Sequence, residues 1–497
     1  MIALLATTGR RTMDRAASKL AVLVLTSLAL AALLAGCATN PVTGRREISL
    51  VSTGQEEQMG REGYSAVLAE YGAYDDPKIQ AYVDQLGQKL GKVSHLPNLT
   101  WHFTVIDDPT VNAFAMPGGY IYVTRGILAH LNSEAQLAGV LGHEIGHVTH
   151  RHSAEQITRQ QFAGLGLGVA SMLSPALARY SNVAQQALGL MFLSFSRTHE
   201  TEADQLGVEY STAANYDSRE MPSTYAMLQR VGERAGSRLP AFLNTHPDPG
   251  DRLQRTGELS RAATAGKTGL IVRHAEYIQR LDGMVYGADP RQGYFEGDVF
   301  YHPQLRFVLT LPSGWAHENG HTAVTAAAPQ QRAMMQLTLS TGNGLSPSAF
   351  VSRLQQDGKI TGAQGGSESI GGYPAWAGSV TVADANGQAQ VLAAAFIRRS
   401  PDQFFQVLGR SAQAGDADFN AILDSARSFR SLTDPSRLSP EPARVHVTRA
   451  PGGTTFASAI GTGGVDPEEV AILNNRTLED RLPAGELVKT VTPSRLR

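Results

Sequence analysis

His143-Glu144-Ile145-Gly146-His147 has the residue types and the spacing for metal chemistry. On an α-helix each residue advances about 100°, so two histidines four apart share a face, one turn above each other. Their imidazoles can chelate one Zn²⁺, and the glutamate between them is placed to act as a general base on water. Such a pair calls for a third ligand from elsewhere in the chain.

Ser196–Asp204 offers one. Glu200 and Asp204 are four apart on one helical face, and Glu202 lies about 200° from Glu200. Glu200 is therefore the expected third ligand, with Asp204 hydrogen-bonded to a ligating imidazole and fixing its tautomer. Read alone, the three acids would be an ordinary solvated face. His150 falls near the angular position of His143 and His147 and is expected behind the ligands or facing substrate. His152 points to the opposite face and is expected to be structural. In Asn244–Arg252 a proline on each side of Asp248 stiffens a loop before a new helix. From it, His246 is expected to approach the metal as a temporary fourth ligand or a transition-state donor. Arg252 is expected to stabilise an oxyanion or hold a substrate carboxylate. The plainer alternative is a helix-entry loop with an ordinary His and Arg.

Several elements must hold these groups. A helix is expected over Gly54–Tyr71, and another follows Asp76 as N-cap and Pro77, with Ile79, Tyr82, Val83, Leu86 and Leu90 on one stripe. Trp101–Ile106 reads as a strand and Ala113–Arg125 as strand, turn, strand. Within it Gly119, Tyr120, Ile121 and Tyr122 are expected to pair with an extended substrate; the alternative is an interior strand with no open edge. Ser133 and Gln136 form a capping box for the site helix, which is expected to run to about Gln160. Residues 162–178 are small and apolar and broken at Pro175, which suits a flap or packed hairpin better than a membrane span. Helix resumes from about Val183 to Gly207.

The chain has 497 residues, with 42% hydrophobic and 18% charged, so two or three globular domains are expected. A net charge of −2 without a long basic run excludes nucleic acid as a partner. Residues 1–36 hold basic residues, then an apolar run ending Leu34-Ala35-Gly36-Cys37, the pattern of an export signal. L-A-G-C resembles the bacterial lipoprotein signal, which implies lipid on Cys37, the chain's single cysteine. With Ala38 following, it also implies an outer-membrane lipoprotein facing the periplasm. No intrachain disulfide is possible.

The expected divisions are 37–53 as a tether, 54–262 as the catalytic domain, 263–433 as an accessory domain, 434–443 as a linker and 444–497 as a C-terminal module. Strands are expected at 306–311, 323–327, 334–340, 375–382, 390–397 and 404–409, and helices near 346–356 and 417–429. The C-terminal module resembles LysM domains in its strand, helix, helix, strand order. That resemblance implies peptidoglycan as a partner, though Arg449–Thr455 lacks the acidic residue usual before the threonine. The fold class is multidomain α+β: a mainly helical zincin-type catalytic domain with a small sheet, an antiparallel α+β middle domain and a small LysM-like module.

His143, Glu144 and His147 with Glu200 and Asp204 resemble the gluzincin metallopeptidases of the HtpX and CAAX-prenyl-protease type, and within them the periplasmic BepA-like branch. N-P-V-T-G-R-R, N-A-F-A-M-P-G-G-Y-I-Y-V-T-R, E-T-E-A-D and T-H-P-D-P-G-D-R carry the likeness over roughly residues 40–260. It implies one Zn²⁺ per chain on His143, His147 and Glu200, Glu144 as base, and Asp204 behind the ligands. It also implies a peptidase acting on unfolded or misassembled envelope proteins. The helical-repeat domain usual in that branch is not recognisable here, so partners tied to it do not transfer. Two other functions are weighed: a chaperone whose zinc site is gated, and a peptidoglycan-directed hydrolase.

Overall fold

A computed structural model of the chain describes residues 37–167, 194–235, 242, 245–246, 249–383, 388–461 and 464–495. The export signal at 1–36, most of the expected flap at 162–178 and the expected helix start at Val183 lie outside the described residues. The chain divides into two compact units, one reaching to Tyr277 without 68–73 and 107–109, the other comprising those segments and residues from Ile278.

In the first unit β1 (Cys37–Thr39) pairs antiparallel with β2 (Arg46–Ile48) ahead of α1 (Thr53–Tyr71). Asp76 caps α2 (Pro77–Lys92), its side chain accepting from the amides of Lys78 and Ile79. Helix α2 buries Ile79, Val83, Leu86 and Leu90 on one side. It approaches β3 (His102–Ile106) so closely that a Cβ on Gly87 would fall 2.4 Å from the Phe103 ring. A three-stranded sheet follows in the order β3-β5-β4, where β4 is Ala113–Met116 and β5 is Tyr120–Thr124. Gly118 and Gly119 turn between β4 and β5 at φ of +79° and +89°, which only glycine adopts without strain.

Strand β5 is the central strand, parallel to β3 and antiparallel to β4. This corrects the expectation that Gly119, Tyr120, Ile121 and Tyr122 pair with substrate. Composition identifies a strand, but its place in a sheet depends on partners distant in sequence. The far edge of β3 is covered by α2: Gln80 exchanges two hydrogen bonds with the Val105 backbone at 2.6 and 3.0 Å. The outer edge of β4 has no pairing strand among the described residues, and β4 packs beside the site helix.

After α3 (Arg125–His130) comes that site helix, α4 (Glu134–Thr149). Ser133 Oγ accepts from Gln136 N at 3.1 Å, and Gln136 Oε1 accepts from Asn132 N at 2.6 Å, so free amides at the helix start are satisfied from both directions. The helix stops at Thr149 rather than near Gln160. Arg151 takes a left-handed conformation (φ 62°), and α5 (His152–Leu167) starts on a new axis. The break is held by the buried Arg151 guanidinium, 2.7 Å from Glu56 and 2.8 Å from the Val51 carbonyl.

Helix α6 (Arg197–Ala213) begins at its Ser196 cap, so the helix expected from Val183 to Gly207 does not pass through Phe195, whose amide bonds to the Thr245 carbonyl at 3.1 Å. Small residues let α4 and α6 pack with their backbones nearly touching. A Cβ on Gly142 would lie 3.1 Å from the Gly207 carbonyl, and one on Gly146 3.2 Å from Ala203. Helices α7 (Met221–Ala235) and α8 (Pro249–Thr264) pack beside them, and α9 (His274–Arg280) straddles the division. Residues 263–277 stay with the first unit because Ile271 exchanges backbone hydrogen bonds with Asn215 and Asp217, which moves the boundary later than 262.

The second unit carries a seven-stranded antiparallel sheet, β12-β13-β14-β15-β11-β10-β9. A smaller sheet combines β6 (Tyr294–Glu296), β7 (Val299–His302), β8 (Phe307–Thr310) and the short β16 (Arg430–Ser431). In the large sheet are β9 (Ala316–Asn319), β10 (Ala323–Ala327), β11 (Met334–Thr341), β12 (Gly362–Ile370), β13 (Tyr373–Ala383), β14 (Ala389–Ser400) and β15 (Gln403–Arg410). Helices α10 (Pro347–Gln356) and α11 (Ala417–Arg427) contribute Phe350 and Ile422 to two apolar clusters. The Gly/Ser-rich β12 carries almost no strand signal of its own. It forms by pairing with β13 over nine residues, where a Cβ on Gly378 would meet the Gln364 carbonyl at 2.1 Å.

Beyond α12 (Pro435–Leu438), β17 (Arg444–Arg449), α13 (Phe456–Ile460), α14 (Pro467–Leu473) and β18 (Leu487–Thr492) follow in order, with β17 antiparallel to β18. Backbone hydrogen bonds from Gly283 to Val445 and from Val445 to Met284 keep this segment inside the second unit.

Candidate metal centre

His143 and His147 leave α4 one turn apart and bring their Nε2 atoms to 3.0 Å. Glu200, on the first turn of α6, puts one carboxylate oxygen 3.6 Å from His143 Nε2 and the other 3.6 Å from His147 Nε2. His246 comes from the segment before α8, its Nδ1 lying 2.9 Å from Glu200 Oε1 and 3.4 Å from His143 Nε2. These four groups face one point and are buried, each 2% exposed or less.

A tetrahedral zinc ion with ligands at about 2.0–2.2 Å sets its ligand atoms roughly 3.3 Å apart. The separations here bracket that value, and three imidazole nitrogens with one carboxylate are a donor set zinc accepts. Glu144 lies alongside, with both carboxylate oxygens buried and without a hydrogen-bond partner, and His246 Nε2 stands 3.8 Å away. Burial raises the Glu144 carboxyl above its usual range, although His246 and His143 pull the other way. A carboxylate so placed is a stronger base than one in water.

Behind the cluster sits a buried ion network. Asp204 Oδ1 lies 3.0 Å from His143 Nδ1 and accepts from the Tyr225 hydroxyl at 2.6 Å. Arg252 reaches Asp204 at 2.6 Å and Glu200 at 2.6 Å, and stacks on the Tyr225 ring at 4.4 Å. Arg255 adds a second cationic contact to Asp204 at 2.9 Å. Burial opposes the charge on Glu200, but His246 and Arg252 outweigh it and bring its carboxyl down to about 2. Asp204 is likewise held well below the usual carboxylate range, burial being overcome by Arg252 and His143.

Arg252 is thus not aimed at substrate. It is 1% exposed and engaged with Glu200, Asp204 and Tyr225, which corrects the oxyanion role expected of it. The expected loop position put it near the metal, but the direction of its guanidinium depended on α7. Tyr225 and Arg255 gave no sequence signal. His152 was expected on the face away from the ligands, yet its Nδ1 lies 3.0 Å from His147 Nδ1. Helical phase fails there because the helix ends at Thr149 and Arg151 takes a left-handed conformation. His150 is also buried, and its backbone carbonyl accepts from Asn40 at 3.3 Å.

These features define the H-E-x-x-H class of metal-dependent peptidases, and comparison with known proteins narrows it. Residues 77–260 match the family model of Peptidase family M48. The chain is 35% identical over 224 residues to the mitochondrial metalloendopeptidase OMA1 of Schizosaccharomyces pombe, which covers 44% of this chain and 65% of that protein. Against the OMA1 of Arabidopsis thaliana it is 35% identical over 206 residues, 39% of this chain and 41% of that one. Against the beta-barrel assembly-enhancing protease of Escherichia coli (strain K12) it is 32% identical over 227 residues, 43% of this chain and 46% of that one. The matches therefore span between 41% and 65% of the length of these relatives. Over residues 77–260 the chain is thus similar to Peptidase family M48 and to metalloendopeptidases, and the His143, His147, Glu200 and His246 cluster is able to hold one zinc ion. No helix among the described residues is long and apolar enough to cross a membrane.

Proposed function

We propose that the chain is a zinc metalloendopeptidase of the bacterial envelope that cleaves unfolded or misassembled proteins during outer-membrane protein assembly. The observation that carries this reading is the unpartnered Glu144 carboxylate beside the His143, His147, Glu200 and His246 cluster. The name of the Escherichia coli relative, an assembly-enhancing protease, supports the biological setting. The export signal ending at Cys37 supports a lipid-anchored form facing the periplasm. The strand–helix–helix–strand order of 444–492 supports a LysM-like module for peptidoglycan.

His143, His147 and Glu200 would hold the zinc, which when bound supplies a Lewis acid for the scissile carbonyl and for water. Glu144 accepts the proton of the attacking water and returns it to the leaving amine. Asp204 keeps the proton of His143 on Nδ1, leaving Nε2 free for the metal. Arg252 holds Glu200 and Asp204 in register. Substrate lies along the outer edge of β4 rather than along β5, since among the described residues that edge of the sheet has backbone groups left to pair beside α4.

Glu144→Gln should retain zinc and lose cleavage of an unfolded protein by at least about 10³-fold. A variant that still cleaves would sink the assignment. His246 within the cluster favours a second reading, in which the centre rests closed and the chain acts mainly as an assembly factor. His246→Ala should raise proteolysis if the peptidase is merely closed; unchanged negligible proteolysis would favour the assembly factor. Cys37→Ser should move the protein from the membrane to the soluble envelope fraction.

A further inference from the structure

The two histidines of the motif are held from behind in different ways. His143 Nδ1 faces the carboxylate of Asp204, which is fully buried. Among the described residues His147 has no carboxylate at its back. Its Nδ1 lies 3.0 Å from Nδ1 of His152, and His152 Nε2 lies 3.2 Å from Glu202 Oε2. Glu202 is partly exposed and lines a cavity of about 620 Å³ together with His199, Glu155 and Arg159.

From this chain of contacts we propose that Glu202, acting through His152, fixes the tautomer of His147, so that both are positioning residues for the metal centre. The proposal rests on the reading of His147 as a zinc ligand. An ionised carboxylate only accepts hydrogen bonds, so the contact with Glu202 puts the proton of His152 on Nε2. A neutral imidazole carries one N–H, which leaves His152 Nδ1 as a lone pair. The single proton between the two Nδ1 atoms therefore belongs to His147. His147 Nε2 is then a lone pair, aimed at the point shared with His143 and Glu200.

The surrounding packing holds this line of donors in place. Phe195 lies against the His147 ring at 4.1 Å between centroids. His199 stacks on His152 at 4.3 Å, within 14° of parallel, while its own Nε2 contacts Glu155 at 3.2 Å. His150 flanks the other side at 5.0 Å. Helical phase alone would send His152 away from the ligands. The left-handed turn at Arg151 makes the contact, and the Glu56 and Val51 contacts hold that turn. Glu202 does not ligate the metal, yet it reaches the centre through one imidazole.

The test measures zinc affinity directly, so it does not depend on peptidase activity. Full-length apo protein is titrated with Zn²⁺ against a competing chelator, and the cobalt-loaded protein is followed by its visible absorption. Glu202→Ala should weaken zinc binding about ten- to hundredfold, the range lost when a partner behind a ligand is removed. His152→Phe, which keeps a stacked ring but no nitrogen, should lose as much. Glu202→Gln still accepts the Nε2–H through its amide oxygen, and should stay within about threefold of the wild type. Circular dichroism should show all three folded, Glu202 being partly exposed and phenylalanine keeping an aromatic ring in the buried place of His152.

Wild-type affinity and an unaltered cobalt spectrum in Glu202→Ala would overturn the proposal. So would equal losses in Glu202→Ala and Glu202→Gln, which would mean that only the charge matters. His150, His152 and Glu202 also sit close enough to hold a cation themselves. A second zinc per chain, lost in His150→Ala, would overturn the proposal too, because an ion on His152 Nε2 displaces the proton the relay needs. No zinc uptake by the wild-type chain would overturn the metal centre and this proposal together. Uptake with unchanged affinity in the variants overturns this proposal alone.

Discussion

Around His143 the interior is built from ionisable groups: His143, Glu144, His147, Glu200, Asp204, His246 and Arg252 are each 2% exposed or less. The large sheet of the second unit encloses the opposite material, with Phe307, Phe405, Phe429, Ile397 and Val407 packed in one apolar cluster. Both candidate cation clusters among the described residues lie in the first unit. Burying charge costs several kcal/mol per ion unless partners are placed to offset it, whereas burying apolar surface stabilises at about 25 cal/mol per Å². The first interior therefore persists because all of these groups but Glu144 have a hydrogen-bonding or ion-pair partner close by. The second persists because its side chains leave water, and any of them can be trimmed without orphaning a charge.

The largest expected effect is at Arg252. Arg252→Ala removes the cation shared by Glu200 and Asp204, and should cost about 3–5 kcal/mol together with a loss of bound zinc. Denaturant unfolding and metal analysis would measure both. A loss below about 1 kcal/mol would mean that the network is no more than a decorated surface pair.

Phe405→Ala is the counterpart in the apolar interior. It should cost about 3–4 kcal/mol through the cavity left against Phe307 and Phe429, with zinc content unchanged. Parallel unfolding and metal measurements would check that separation.

A smaller effect is expected from acid. Burial, and then the nearby Arg399, push His302 down to about 4, so it is neutral in the folded unit, where its Nδ1 accepts from the Leu305 amide. As pH falls below the unfolded value of about 6.5, the unfolded chain takes up a proton that the folded chain refuses. Stability is therefore full above that value and is lost as pH falls towards 4. By pH 5 the loss should be about 1–2 kcal/mol, allowing for partial exposure. His302→Asn, which keeps an acceptor, should remove this part of the pH dependence. Unfolding of both proteins at pH 7.5 and pH 5 would reveal it.

Ser133→Ala should cost least, about 1 kcal/mol, through loss of the cap on α4. Thermal unfolding would register it without a change in zinc stoichiometry.

Much of the site was legible because helical phase is local. His143 with His147, and Glu200 ahead of Asp204, each lie within one turn, and their spacing settles which face they share. The strands of the second unit were legible where β-branched and aromatic residues alternate, as in β11, β14 and β15. β12 was not, since its glycines become a strand only against β13. The same limit hid the place of β5, the direction of Arg252 and the approach of His152.

By itself the sequence determined which residues can chelate zinc and which of three acids on one helix could join them, because both depend on periods of a few residues. Only the tertiary structure decided what stands behind each ligand. Arg151 turns the chain left-handed because Glu56 and Val51, some hundred residues earlier, hold its guanidinium. Arg252 turns inward because the buried Asp204 carboxylate and Tyr225 hydroxyl both accept from its guanidinium. Those choices depend on charges and backbones that meet only when the helices pack, and no local spacing records them.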